Sequence, residues 1–131
     1  MPIVVGFIPT KEGRAALDRA VEEAQLRNER LIVVSSNKGG ENFSRDVVQF
    51  DDELEKVTKD LEARGIEFDV HGLVRGNEPA EDLVEIAEKQ NATLIVIGLR
   101  RRSPVGKLLM GSNAQRILLD ANCDVLAVKP N

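Results

Sequence analysis

Tryptophan and tyrosine are missing from this chain of 131 residues, and its aromatic side chains are four phenylalanines. So few rings leave little on which unpaired bases could stack, which argues against a nucleic-acid platform. Lysine and arginine total 18 against 22 aspartates and glutamates, a formal charge of −4. That balance provides no general electrostatic attraction to DNA, RNA or an anionic membrane. No apolar run approaches the roughly 20 residues needed to span a bilayer. The single cysteine, Cys123, cannot close an intramolecular disulfide. A reducing, cytoplasmic setting is therefore expected. The opening "MPIVVGFIPTKEG" also lacks the basic segment and cleavage pattern of a secretory signal. His71 is the one histidine, with no cysteine nearby, so a zinc site is not expected.

What the chain does have is an alternation of aliphatic runs and amphipathic segments. "IVVGF" (Ile3–Phe7), "LIVV" (Leu31–Val34), "LIVIG" (Leu94–Gly98) and "VLAV" (Val125–Val128) read as buried strands. "IEFDVHG" alternates Ile66, Phe68 and Val70 with polar residues, as a strand with one polar face does. Between the strands, apolar residues recur at helical spacing. Leu17, Ala20, Val21 and Ala24 form one such stripe, and Phe50, Leu54, Val57 and Leu61 a second that Gly65 ends as a left-handed cap. Ala80, Leu83, Val84 and Ala87 form a third, opened by Pro79, and Ala114, Ile117, Leu118 and Ala121 a fourth. The polar stretch Ser35–Ser44, with two adjacent glycines, is expected to be a loop. Acidic "DDELE" reads as a solvated helix face, with Asp52 and Glu53 away from the apolar stripe. Near-continuous aliphatic strands alternating with helices predict an α/β sandwich built on an open parallel sheet. Neither a linker nor a short-period repeat divides residues 1–131, so one domain is expected.

Ligands of such sheets bind beyond the carboxyl ends of the strands, where the strand order reverses. The loops after Phe7, Val34 and Ile97 are the places to look. The last contains "GLRRRSPVGKLLMGSN", three arginines between Gly98 and the Gly111-Ser112 step. Ser112 and Gln115 have the spacing of a capping box, and free amides at a helix start can hold phosphate oxygens. On spacing alone, a capped helix after a surface loop fits equally well. Gly106-Lys107 is followed by leucine, so no P-loop is present.

At this point the sequence resembles the universal stress protein family, whose nucleotide binders carry G-x2-G-x9-G-[S/T] after the fourth strand. Gly98, nine residues from 102 to 110, and Gly111-Ser112 follow that pattern, with Arg101 in the place of the second glycine. "VVGFIPTKEGRAALDRAVEEA", "RGNEPAEDLVEIAEKQNATLIVIG" and "NAQRILLDANCDVLAVKP" also look like family blocks, so the likeness covers essentially the whole chain. Ile8 stands where the family's nucleotide binders usually have an aspartate.

The resemblance implies a Rossmann-like fold, five parallel strands in the order 3-2-1-4-5 sandwiched by four helices. It implies a stress-response protein that binds ATP or AMP, with Mg²⁺ as an accompanying ion. A turnover enzyme is not expected, since no convincing base, nucleophile or metal-carboxylate pair is evident in the sequence; at most, slow ATP hydrolysis is expected. Adenine would meet the backbone of Val34, with Gly6 and Phe7 at the base and ribose end. Gly98, Arg100, Arg101, Gly111, Ser112 and Asn113 would surround the phosphates. A homodimer through the C-terminal strand is implied as well. Ile8 and Arg101 motivate the alternative, a dimeric interaction protein of the same fold that binds no nucleotide. Another anion, an acyl or cyclic phosphate, is a third candidate for the arginine loop.

Overall fold

The computed structural model describes residues 1–37, 43–74, 78–99 and 111–130. Strands and helices alternate along it: β1 (Ile3–Gly6), α1 (Lys11–Arg27), β2 (Leu31–Asn37), α2 (Phe43–Arg64) and β3 (Phe68–Val74). Then come α3 (Pro79–Lys89), β4 (Leu94–Gly98), α4 (Ser112–Asp120) and β5 (Asp124–Val128). Every strand pair is parallel, and the order across the sheet is β3-β2-β1-β4-β5. The expected fold class and strand order are both present.

The alternation of side chains along each strand sorts the core into two layers. Ile3, Val5 and Phe7 pack with Leu31, Val33, Leu94 and Val96 against the Ala16, Leu17 and Ala20 face of α1 and Val57 and Leu61 of α2. Val4, Ile32, Val34, Ile95 and Ile97 point the other way, onto Ala80, Leu83 and Ala87 of α3 and Ile117 of α4. Residues 3–5, 31–34 and 94–97 are all buried, which explains their uninterrupted aliphatic character. Each such side chain removed from water contributes roughly 1.5–3 kcal/mol before entropy is counted.

Several local expectations are corrected. β2 continues beyond its apolar run because Ser35, Ser36 and Asn37 find ladder partners in Gly72, Leu73 and Val74 of β3. The loop expected from Ser35 to Ser44 is therefore corrected at both ends, since α2 already starts at Phe43; residues 38–42 of it lie outside the described residues. β3 lies two residues later than expected; Ile66, just outside it, still packs on the core. Leu118 does not belong to the buried stripe of α4. It is 42% exposed, because the short helix has Ile117 centred on the sheet. Glu53 is not simply solvated: it is half-buried and pairs with Arg14 of α1 at 3.6 Å. Gly65 does end α2 with a left-handed φ of 69°, as the sequence suggested.

Candidate functional site

β1 and β4 are neighbours at the centre of the sheet, and the chain departs from them in opposite directions. A crevice opens there beyond the carboxyl ends, as the geometry of open parallel sheets requires. It has a volume of about 180 Å³. Gly6, Phe7 and Ile8 form one part of its wall, with Val34 from β2 beside them, and Ile97 and Gly98 close the β4 side. α1 contributes Glu12 and Gly13, α3 contributes Pro79, Ala80 and Leu83, and α4 contributes Asn113, Ala114 and Ile117. Three helices thus begin at this rim, with their free amides and positive dipole ends toward the crevice.

Each start has a local cause. Thr10 is extended and caps α1, its hydroxyl accepting from the Gly13 N–H at 3.2 Å. Pro79 occupies the first turn of α3, where its missing N–H costs nothing. At α4 the cap is Gly111, with φ −74° and ψ 168°, and no side chain among the described residues caps the helix. The expected Ser112–Gln115 capping box is therefore corrected. Ser112 is already the first helical residue, so its oxygen comes one position too late for that motif. The α4 start is left without a side-chain cap of its own, which leaves amides for another acceptor.

The β1–β2 side of the crevice is tied together by one main-chain bond and one side-chain bond to main chain. The Phe7 N–H donates to the Val34 carbonyl at 2.9 Å, and the Ser35 hydroxyl donates to the Phe7 carbonyl at 2.8 Å. Two glycines let α1 come down onto this edge. A Cβ on Gly13 would lie 1.9 Å from the Ile8 carbonyl oxygen, and one on Gly98 2.3 Å from that of Glu12. Gly98 is therefore needed for close helix packing as well as for access to the crevice.

Of the residues singled out from sequence, Gly6, Phe7, Val34, Gly98 and Asn113 all line this one crevice. Gly111 and Ser112 stand immediately before Asn113, as cap and first helical residue. Arg100 and Arg101 lie outside the described residues, as do Arg102 and Lys107. Ile8 is at the crevice and 39% exposed. Glu12, Gly13 and the α3 residues were missed by sequence reasoning. Their signal was available: both helices start directly after strand ends, so their first turns must lie on the same rim. Cys123 lies at the opposite end of the sheet, where burial, then the neighbouring Asp124 charge, raises its thiol pKa. That makes it a poorer nucleophile. Among the described residues, no three His, Cys, Asp or Glu side chains gather in a way that could hold a metal. No helix among them is long and apolar enough to cross a membrane.

The comparisons with known proteins agree with this architecture. The profile of the universal stress protein family matches residues 1–129. A universal stress protein of Mycolicibacterium smegmatis is 39% identical over 98% of both chains. A universal stress protein structure from Archaeoglobus fulgidus is 39% identical, superposes with a TM-score of 0.85, and is matched over 98% of both chains. Another from that organism, in complex with dAMP, is 34% identical over 98% of both chains, with a TM-score of 0.80. Matched by the family profile almost end to end and superposing closely on a family structure 39% identical to it, this chain belongs to the universal stress protein family.

Proposed function

We propose that the protein binds ATP or a related adenine nucleotide in the crevice above β1 and β4, and acts in stress signalling through its bound state. The observation that carries this reading is the crevice itself. Its walls are mostly apolar, Val34 lines one end of it, and a helix start without a side-chain cap among the described residues stands at its other end. Adenine suits the apolar part, lying by Gly6 and Phe7 against the Val34 backbone. The phosphates belong with Gly98, Gly111, Ser112 and Asn113, where helix amides favour anions, and with Arg100 and Arg101 of the adjoining segment. A relative 34% identical over nearly the whole chain is in complex with dAMP, which supports the same ligand class. A Mg²⁺ ion accompanying ATP would be held mainly by the phosphates, the usual arrangement for this ion. We assign no turnover to the site, and place the protein in the cytoplasm as one domain over residues 1–131.

Calorimetry on protein stripped of endogenous ligand tests the reading. Both ATP and AMP are expected to bind with measurable heat. Absence of heat and of any thermal shift at millimolar nucleotide would overturn it.

A second reading concerns assembly and is compatible with the first. β5 is an edge strand whose Val125, Leu126, Ala127 and Val128 are only half-buried. α4, the helix leading into it, exposes Leu118 and Leu119, the latter by 84%. An apolar edge of this kind needs cover, and a second copy paired through β5 supplies it.

A further inference from the structure

Ser35 is 3% exposed and stands where the strand around it calls for an apolar side chain. Leu31 and Val33 of β2 pack in the layer under α1 and α2, and strand alternation puts Ser35 on that same face. A buried hydroxyl costs stability unless it finds a partner, and this one donates to the Phe7 carbonyl at 2.8 Å. Along β2, the Leu31 N–H donates to Glu67 on the β3 side, whereas the Val34 carbonyl accepts from Phe7 on the β1 side. Odd-numbered residues of β2 therefore turn their main chain to β3 and even-numbered ones to β1. Ser35 pairs with Gly72 of β3, and its hydroxyl is what reaches back toward β1. The β1–β2 register ends at Gly6 opposite Val34, so this bond holds the chain just past the last ladder pair. From there the Thr10 N–H donates to the Ile8 carbonyl at 2.8 Å, and the Thr10 hydroxyl caps α1. Phe7, Ile8, Glu12 and Gly13, which all line the crevice, follow in succession from the residue that Ser35 holds.

We infer that Ser35 is a positioning residue of the nucleotide site: its hydroxyl fixes the Phe7 carbonyl, and with it the wall that runs from β1 to the first turn of α1. The inference rests on the nucleotide reading above. Ser35 is not among the residues that line the crevice, so it acts on the ligand through Phe7. A wall already held in its binding geometry spares the cost of ordering it when the ligand arrives. Without the hydroxyl, the turn after β1 loses an anchor and the wall shifts from the position the ligand needs. An anchor that merely stabilised the strand end would lower the unfolding temperature and leave the affinity of the folded protein unchanged. Val33 supplies the contrast. It is fully buried in the same strand and layer, two residues earlier, and its side chain fills the core.

The test is calorimetric titration of stripped wild type, S35A, S35T and V33A with AMP, well below each protein's unfolding temperature. Amide hydrogen exchange of the ligand-free proteins accompanies it. S35A is expected to bind AMP about five- to tenfold more weakly than wild type, the size of one hydrogen bond. S35T, which keeps the hydroxyl, should stay within about threefold of wild type. V33A should unfold at a lower temperature and yet bind AMP within about twofold of wild type. The Phe7 amide should exchange at least about fivefold faster in S35A, as its bond to Val34 opens more often. Wild-type affinity in S35A, an equal loss in V33A, or an S35T as weak as S35A overturns the assignment of Ser35 and leaves the nucleotide reading standing. An unchanged Phe7 exchange rate in S35A overturns it too, whether or not nucleotide binds. Absence of AMP binding by wild type overturns both.

Discussion

Gly13 and Gly98 are the two positions where α1 meets the rim of the crevice, and neither has room for a side chain. The nearest atoms to the missing Cβ groups are backbone atoms of Ile8 and Glu12, which cannot swing aside as a side-chain tip can. Replacing Gly98 with alanine should therefore push the α1 start away from β4. The expected result in denaturant unfolding is a loss of about 1–3 kcal/mol, the range found for overpacked sites. The same displacement shifts Glu12 and should weaken AMP binding. An unchanged midpoint would mean that the helix yields without cost. Gly65 differs, because it lies in open space and is required only by its left-handed backbone.

At the scale of elements, the apolar runs of β1, β2 and β4 and the helical stripes of α1 and α3 made most of the architecture legible in the sequence. A residue run that must be buried on both faces has few alternatives to a central parallel strand. The boundaries were less legible, for a physical reason. β2 persists through Ser35, Ser36 and Asn37 because β3 offers ladder bonds there, and pairing with a distant segment leaves no mark on local hydropathy. The same limit hid Glu12, whose place at the crevice follows from how closely α1 packs on Gly98. At α4 the motif was real but displaced: Gly111 took the cap position that Ser112 appeared suited to fill. The link between α1 and α2 was equally invisible. Arg64 donates to Asp18 at 2.8 Å and also pairs with Asp60. The hydrogen bond to Asp18 is the main cause of the raised Arg64 pKa. Exposed pairs of this kind contribute about 0–1 kcal/mol each, so they orient α2 more than they hold it. Stability of that layer rests instead on Val57 and Leu61, buried against the sheet.

At the scale of the whole molecule, the sheet has two different edges and two different ends. The β5 edge, flanked by exposed Leu118 and Leu119, is the face we assign to a second copy. Light scattering across micromolar concentrations should give twice the mass of the 14.4 kDa chain. A monomer throughout that range would contradict the assignment. The two ends differ in their walls. The carboxyl end has the mostly apolar crevice with three helix starts, whereas the opposite end has a cavity bordered by Glu88, Thr93, Asn122 and Cys123. The helix dipoles give the first end the positive character an anion needs, and the second end receives helix C-termini.

That asymmetry makes the central claim open to direct measurement. Amide chemical shifts of the stripped, isotope-labelled protein should be followed as AMP is added. The account predicts shifts at Gly6, Phe7, Ile8, Glu12, Val34, Gly98 and Asn113, with Glu88, Thr93 and Cys123 at the far end unmoved. Shifts confined to the far end, or no shifts at millimolar AMP, would contradict it.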